Sequence, residues 1–258
     1  MPPPSEHTAR VAARLAGAVA LDLEVQATTE VFPGIRELRL AGDLTGFAPW
    51  PGQDLMVSVP PGAPAPRFRR YTVRRFDPDA GTVDLWVTTT TDGPGAGWAI
   101  AARPGDVVDA VGPRGKIAVR DDVRVHLFVV DDAGLAAKCA MAEAIAAPAE
   151  VLAFSVLVPS PETLPGPEIE PRYHDGVRST THVLDAADLG WVATVLEMST
   201  TSLDRASVAA YVFGELALTR AVAAKLTSIG FDAALVAVKP YWREDRANEP
   251  NGEPDRET

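Results

Sequence analysis

The spacing of apolar residues changes halfway along this 258-residue chain, and that change limits the fold to a two-part architecture. Upstream of Val119 the apolar residues fall in short runs rich in β-branched side chains, separated by Pro and Gly. Runs of this length and spacing predict a small antiparallel β-barrel. The predicted strands are Leu23–Thr28, Ile35–Leu40, Gln53–Val59, Arg70–Arg75, Thr82–Thr88 and Val107–Val111, with one helix at Gly95–Ala102.

Downstream of Arg124, apolar strands alternate with helical stretches, which is typical of a parallel sheet covered on both faces. The predicted strands are Val125–Val130, Glu150–Leu157, Ala209–Phe213 and Ala233–Val238, the predicted helices are Ala133–Ala146, Asp185–Glu197 and Leu216–Ile229, and a polar loop is predicted at Pro159–Ser179. We therefore predict a barrel domain over residues 1–121, a doubly wound α/β domain over residues 122–245, and a flexible polar tail over residues 246–258.

Charge and cysteine content exclude several classes of function. The chain has 24 Lys+Arg against 35 Asp+Glu, a net charge of −11, so nucleic acid and anionic membranes are not expected partners. Cys139 is the only cysteine, which excludes an internal disulfide and a cysteine-based metal site. The four histidines have no metal-ligand spacing. We predict a cytoplasmic protein without a metal site.

Positive charge is concentrated in one segment, Arg67–Arg75, which holds five of the 24 basic residues. On a strand, Arg69 and Tyr71 share one face, and Arg70, Thr72 and Arg74 share the other. Guanidinium groups suit bidentate phosphate contacts, and a Tyr ring offers an apolar face to a planar ligand. From the chemistry of these residues alone, a solvated edge strand is a slightly better explanation.

The wider segment Arg69–Pro78 resembles the flavin-binding strand of siderophore-interacting proteins, a branch of the ferredoxin–NADP reductase superfamily. Further matches follow in the family's order, and the ordered set is more specific than any single motif. These matches are Gly93-Pro94, Trp98-Ala99, Arg103-Pro104-Gly105-Asp106, Gly112-Pro113-Arg114-Gly115, Phe213-Gly214-Glu215, Thr219-Arg220-Ala221 and Tyr241-Trp242-Arg243.

The resemblance implies an FAD-binding barrel followed by a nicotinamide-binding-like α/β domain. The implied activity is reduction of ferric siderophores through FAD, with electrons from NADH, NADPH or a ferredoxin. The cofactor-binding residues implied by the family's motifs are Arg69, Tyr71, Thr72, Val73, Gly93, Pro94, Gly95, Ala96, Gly97, Trp98, Tyr241 and Trp242. The residues expected to meet an anionic siderophore are Arg114, Lys116, Lys239, Arg243 and Arg246. No catalytic residue is assigned.

Two segments depart from the family's pattern. Thr90–Gly97 lacks the family's His-Gly pair and a Ser hydroxyl that can donate to phosphate. Val130–Ala137 lacks the first Gly and the Thr of the family's Gly-Asp-Glu-Thr-Ala-Leu-Pro-Ala pattern and carries two carboxylates, Asp131 and Asp132, at a strand–helix turn. These aspartates would repel a nicotinamide phosphate and disfavour NADPH over NADH, although helix capping is the more common role for Asp at such a turn.

The departures keep two further hypotheses open. One is a redeployed flavoprotein scaffold that acts on a biosynthetic intermediate by a pericyclase-like cyclisation or rearrangement, with a redox-silent or absent flavin. The other is a non-catalytic binding protein. Glu215, next to Gly214 at a strand end, is equally consistent with a site residue and a helix cap.

Overall fold

The computed structural model describes residues 5–62, 67–158 and 169–243. The predicted tail at 246–258, which includes Arg246, lies outside these residues, as does part of the predicted loop at Pro159–Ser179. The described residues form two compact units. The first contains the chain up to Ala118 together with residues 139–141 and 169–170, and the second contains the rest from Val119. The predicted domain boundary at residue 121 stays a prediction.

In the described part of the first unit, six antiparallel strands close into a barrel in the order β1-β2-β5-β4-β3-β6, as the short β-branched runs predict. The strands are β1 (Val19–Phe32), β2 (Ile35–Gly42), β3 (Asp54–Val59), β4 (Arg67–Asp77), β5 (Thr82–Thr88) and β6 (Val107–Arg114), and the helices are α1 (Glu6–Ala12) and α2 (Pro94–Ala101). The side chains of Leu38, Leu55 and Leu85 fill the interior, and Trp98 and Ala99 of α2 pack against them. Helix α2 therefore contributes directly to the barrel core.

The second unit contains a parallel sheet of five described strands in the order β11-β10-β7-β8-β9. The strands are β7 (Val125–Val130), β8 (Ala149–Leu157), β9 (Val177–Asp185), β10 (Val208–Glu215) and β11 (Val236–Trp242), and the helices are α3 (Leu135–Ala142), α4 (Leu189–Ser199) and α5 (Leu216–Ser228). Leu196 of α4 and Leu226 of α5 pack with Phe154 on one face of the sheet. Lys138 of α3 reaches the neighbouring Ser155, whose side chain points to the opposite face. Helices on both faces confirm the doubly wound arrangement.

The structure differs from the sequence expectations mainly at the edges of this sheet. Strand β9 was not predicted, because it is an edge strand whose exposed polar residues give no apolar periodicity. Strand β11 begins at Val236 rather than Ala233, because Asp232 caps a short 3-10 turn over Ala233–Leu235. Helix α4 begins later than predicted because the Asp188 side chain accepts a hydrogen bond from the Trp191 amide.

The strand order reverses between β7 and β10, which lie side by side with crossovers leaving in opposite directions. Open α/β sheets bind ligands in the crevice beyond the carboxyl ends of the two strands at such a reversal. In this chain those ends are Val130-Asp131 and Gly214-Glu215. The fold therefore directs attention to this edge of the second unit.

Within the described residues, no helix is long and apolar enough to span a membrane. The same residues contain no group of three or more His, Cys, Asp or Glu side chains arranged to hold a metal ion.

Candidate functional site

Three of the five basic residues of the Arg67–Arg75 segment have different environments on strand β4. Arg70 lies on the outer face and forms a two-contact ion pair with Asp54, whose carboxylate is buried. Arg74 is buried and its guanidinium lies 4.9 Å from the centre of the Trp86 ring. Arg69 points to the other face, as strand alternation predicts, because it lies directly opposite the core residue Val57 on the adjacent strand β3. Arg69 is thus the arginine that shares a face with Tyr71.

Tyr71 lies against the beginning of helix α2. A Cβ placed on Gly95 would be 2.0 Å from the Tyr71 hydroxyl oxygen and 3.7 Å from the Cγ of Arg69. The Tyr71 ring centre is 5.9 Å from that of Trp98. Burial raises the pKa of Tyr71, so the phenol stays neutral and can act as a hydrogen-bond donor. The structure therefore brings together Arg69, Tyr71, Gly95 and Trp98, all of which the sequence predicted as cofactor-binding residues.

The first turn of α2 offers backbone donors. Its N-cap is Gly93, which has no side chain with which to cap the helix, and its first residue is Pro94. The first amides of a helix lack intrahelical acceptors, and the helix dipole makes them favourable for an anion. The amides of Gly95 and Ala96 are therefore backbone donors that favour an anion.

A groove with a volume of about 510 Å³ runs along α2. It lies between the turn Pro60–Pro61, helix α2 at Gly97 and Trp98, and the start of β6 at Asp106–Val107. The Trp98 indole N–H is buried and has no hydrogen-bond acceptor among the residues that the structure describes. Burying an unpaired N–H is costly, so this orphaned donor marks a place where a polar ligand atom fits.

Two other predicted residues of β4 have different environments. Thr72 is buried on the outer face opposite Asp54, and Val73 packs in the barrel core with its amide bound to the Gln53 carbonyl. Their predicted contacts with a cofactor stay predictions. The sequence analysis did not identify Pro60, Pro61 and Val107, which line the groove along α2, because apolar side chains at strand ends carry no chemical signal.

In the second unit, the carboxylate of Asp131 occupies the crevice at the strand-order reversal. It accepts hydrogen bonds from the amide of Glu215 at 2.7 Å, the indole N–H of Trp242 at 2.8 Å and the amide of Gly134 at 3.1 Å. Asp131 is only 5% exposed. The bond from Gly134 is a cap on the turn before α3, so Asp131 takes the capping role that the sequence favoured.

Burial sets the protonation of Asp131. Loss of solvent and the neighbouring charge of Asp132 raise its pKa from 3.8 to about 7, against the opposing effect of its three N–H donors. Glu215 is also a cap, because its carboxylate accepts from the amides of Ala217 and Leu218 at the start of α5. Of the two roles that the sequence left open for Glu215, a site residue and a helix cap, the structure shows the helix cap.

The remaining predicted residues divide between the two units. Tyr241 stacks on Phe213 with ring centres 5.7 Å apart, and the Lys239 ammonium lies 5.4 Å from the centre of the Tyr241 ring. Arg243 is exposed just after β11. In the barrel unit, Arg114 contacts the Met56 sulfur at 2.9 Å, and Lys116 is exposed. Of the five residues predicted to bind an anionic substrate, the four that the structure describes are therefore one pair in each unit.

Comparisons with known proteins agree with this architecture. Residues 25–117 match the family model of the siderophore-interacting FAD-binding domain, which confirms the resemblance for the barrel. The NADPH-dependent ferric-chelate reductase of Escherichia coli (strain K12) is 34% identical over 77 residues, a stretch that spans only 30% of each chain.

Solved structures extend the similarity of fold to nearly the whole chain. A siderophore utilization protein from T. fusca has a TM-score of 0.75 at 23% identity and covers 92% of this chain and 97% of its own. The siderophore-interacting protein SipS from Aeromonas hydrophila has a TM-score of 0.73 at 21% identity, covering 88% of this chain and 92% of its own. The predicted two-domain fold is confirmed.

The contact between Tyr71 and Gly95 leads to a first prediction. Replacing Gly95 with Ala should lower the free energy of unfolding by about 1–3 kcal/mol, because the new methyl group must displace the Tyr71 hydroxyl. Replacing Gly97 with Ala should be neutral or stabilising by up to about 1 kcal/mol, since nothing lies within 4 Å of its Cβ position.

A urea-unfolding double-mutant cycle with Tyr71→Phe measures whether that contact carries the effect. Removing the hydroxyl should recover much of the loss in Gly95→Ala, giving a coupling of about 1 kcal/mol or more. Additive losses in the double variant would show that the steric account of Gly95 is wrong.

The raised pKa of Asp131 leads to a second prediction. Because the folded chain holds this proton more tightly than the unfolded chain, its stabilisation is complete below the ordinary pKa of 3.8 and is lost as the pH rises through about 7. The unfolding free energy of the wild type relative to Asp131→Asn should therefore fall as the pH rises from about 4 to 8.

Urea unfolding at several pH values measures this difference. Trp242 fluorescence should change with a midpoint near the same pKa of about 7, and the change should be absent in Trp242→Phe. A difference between wild type and Asp131→Asn that is constant with pH would contradict the assignment.

Proposed function

We propose that this chain, whose barrel matches the siderophore-interacting FAD-binding domain over residues 25–117, is a flavin-dependent oxidoreductase that reduces ferric siderophores. The observation that carries the proposal is the grouping of Arg69, Tyr71, Gly95 and Trp98 around the start of α2, inside the matched domain. The similarity to a ferric-chelate reductase supports an oxidoreductase rather than a binding protein.

The residues around α2 fit the chemical groups of FAD. Arg69 supplies a guanidinium, and the uncapped amides of Gly95 and Ala96 supply neutral donors for the diphosphate. The half-buried ring of Tyr71 supplies a flat apolar surface, and the indole N–H of Trp98 supplies a buried donor beside the groove. The side chains of Tyr71 and Trp98 are held by packing on the barrel core, so these two groups are preorganised for binding.

Bound FAD would supply the step that passes single electrons to Fe(III), a capacity that the side chains of this chain lack. The protein's own contribution is to fix and desolvate the cofactor and to attract the substrate. Arg114, Lys116, Lys239 and Arg243 are proposed to offer positive charge to an anionic ferric siderophore, in a chain whose net charge is −11. NADH, NADPH and ferredoxin each stay a prediction as the electron source.

A visible spectrum and an anaerobic assay test the proposed function. We expect the purified protein, supplied with FAD, to show a flavin spectrum and, once reduced by dithionite, to turn Fe(III)-siderophore into Fe(II) trapped by a ferrous chelator. A protein that takes up no FAD would contradict the proposal. A protein that holds FAD but transfers no electrons to the siderophore would instead favour the cyclisation or rearrangement hypothesis.

Arg69 provides a sharper test with a matched control on the same strand. Replacing Arg69 with Ala should weaken FAD binding by about 10- to 100-fold, because one charge-assisted contact contributes ~1.5–3 kcal/mol. Replacing Arg75, which is exposed, with Ala should leave the affinity within about threefold, since a distant surface charge is screened by salt. Fluorescence titration of FAD-free protein measures both, and equal losses would remove Arg69 from the site.

A further inference from the structure

The crevice where the strand order of the second unit reverses is filled by a side chain of the chain itself. Asp131, at the carboxyl end of β7, directs its carboxylate at the last amide of β10, that of Glu215, and at the turn that begins α3. We propose that this carboxyl group takes the phosphate-binding position of the α/β unit and so excludes NADH and NADPH from it.

The donors that Asp131 uses are those that a dinucleotide phosphate requires. In open α/β sheets, phosphates bind to backbone amides at helix starts beyond the strand ends of the reversal. The amides of Gly134 and Glu215 are the donors at those two positions here, and both are bound to Asp131 oxygens at 3.1 and 2.7 Å. A phosphate could reach them only by displacing a carboxylate that is itself buried.

Gly214 shows that the space beside these amides is adapted to the carboxylate. A Cβ on Gly214 would lie 2.4 Å from the Asp131 Cγ and 2.6 Å from each carboxylate oxygen. The φ angle of Gly214 is +138°, a conformation that favours glycine. In a phosphate site, a glycine at this position lets the ligand approach the backbone, whereas here it lets Asp131 approach. The glycine is therefore accounted for without a nucleotide.

The helices that begin at this crevice are already capped by carboxylates of the chain. Glu215 caps α5 through the amides of Ala217 and Leu218, and Asp131 caps the turn that leads into α3. Asp132 adds a further carboxylate next to Asp131, at the start of the same turn. A phosphate would therefore meet helix starts whose capping amides are already bound to Asp131 and Glu215.

The inference depends on the α/β unit alone and stands whether or not the barrel binds FAD. It goes beyond the proposed function because it makes Asp131 a specificity-determining residue for the electron donor. If the proposed function is correct, electrons must then come from a donor that does not bind as a dinucleotide at this edge.

Calorimetric titration of NADPH and NADH into the whole protein tests the inference, since heat of binding is independent of any flavin chemistry. The wild type should show no saturable binding up to millimolar nucleotide. Asp131→Ala should bind at least about tenfold more tightly than wild type, because it frees two amides and removes a buried charge. Asp132→Ala is the matched control: it removes one carboxylate from the same turn but leaves the Asp131 contacts, and should gain nothing.

A second variant, Asp131→Asn, separates the effect of filling the crevice from the effect of the charge on Asp131. Asp131→Asn has the same size without the charge and should still fail to bind nucleotide, because the amide group keeps the space filled. Micromolar binding by the wild type, no gain in folded Asp131→Ala, or an equal gain in Asp132→Ala or Asp131→Asn would each overturn the proposal. If Asp131→Ala is unfolded by circular dichroism, Asp131→Ser takes its place: its hydroxyl can still cap the turn before α3, but it carries no carboxylate for the Glu215 amide, so a smaller gain in the same direction is expected.

Discussion

Close approach of a polar side chain to a glycine determines the candidate site in each unit. In the barrel, the Tyr71 hydroxyl occupies the place of a Gly95 side chain, and in the α/β unit the Asp131 carboxylate occupies that of Gly214. Interiors are packed without spare volume, so each glycine fixes the rotamer of the group opposite it. The position of Tyr71 beside α2 and the position of Asp131 between β7 and β10 both follow from this one constraint.

Most of the fold could be predicted from the sequence, because apolar periodicity and turn residues are local signals. All six barrel strands and four strands of the parallel sheet were predicted, and β9 was not. As an edge strand with exposed polar residues, β9 gains its structure from pairing with β8 rather than from its own pattern. Pairing partners distant in the chain leave no trace in a short window of sequence.

Only part of the candidate site could be predicted from the sequence, because its other contacts join residues that are distant in the chain. Alternation predicted that Arg69 and Tyr71 share a face, but the contacts that Arg70 makes with Asp54 and Arg74 makes with Trp86 could not be predicted. Capping by Asp131 was predictable from its place before a helix. Its other two donors, from Glu215 and Trp242, are 84 and 111 residues away and could not be inferred from local sequence.

The hydrogen bonds of Asp131 also connect strands that are not neighbours. The carboxylate follows β7, receives one donor from the end of β10 and one from Trp242 at the end of β11, and so spans three strands at one edge of the sheet. Parallel strands are otherwise aligned by evenly spaced backbone bonds that a shifted pairing can also form. A slip of β10 or β11 by one residue would leave a buried carboxylate without its donors. The side chain that fills the crevice therefore also penalises incorrect alignment of the strands that form it.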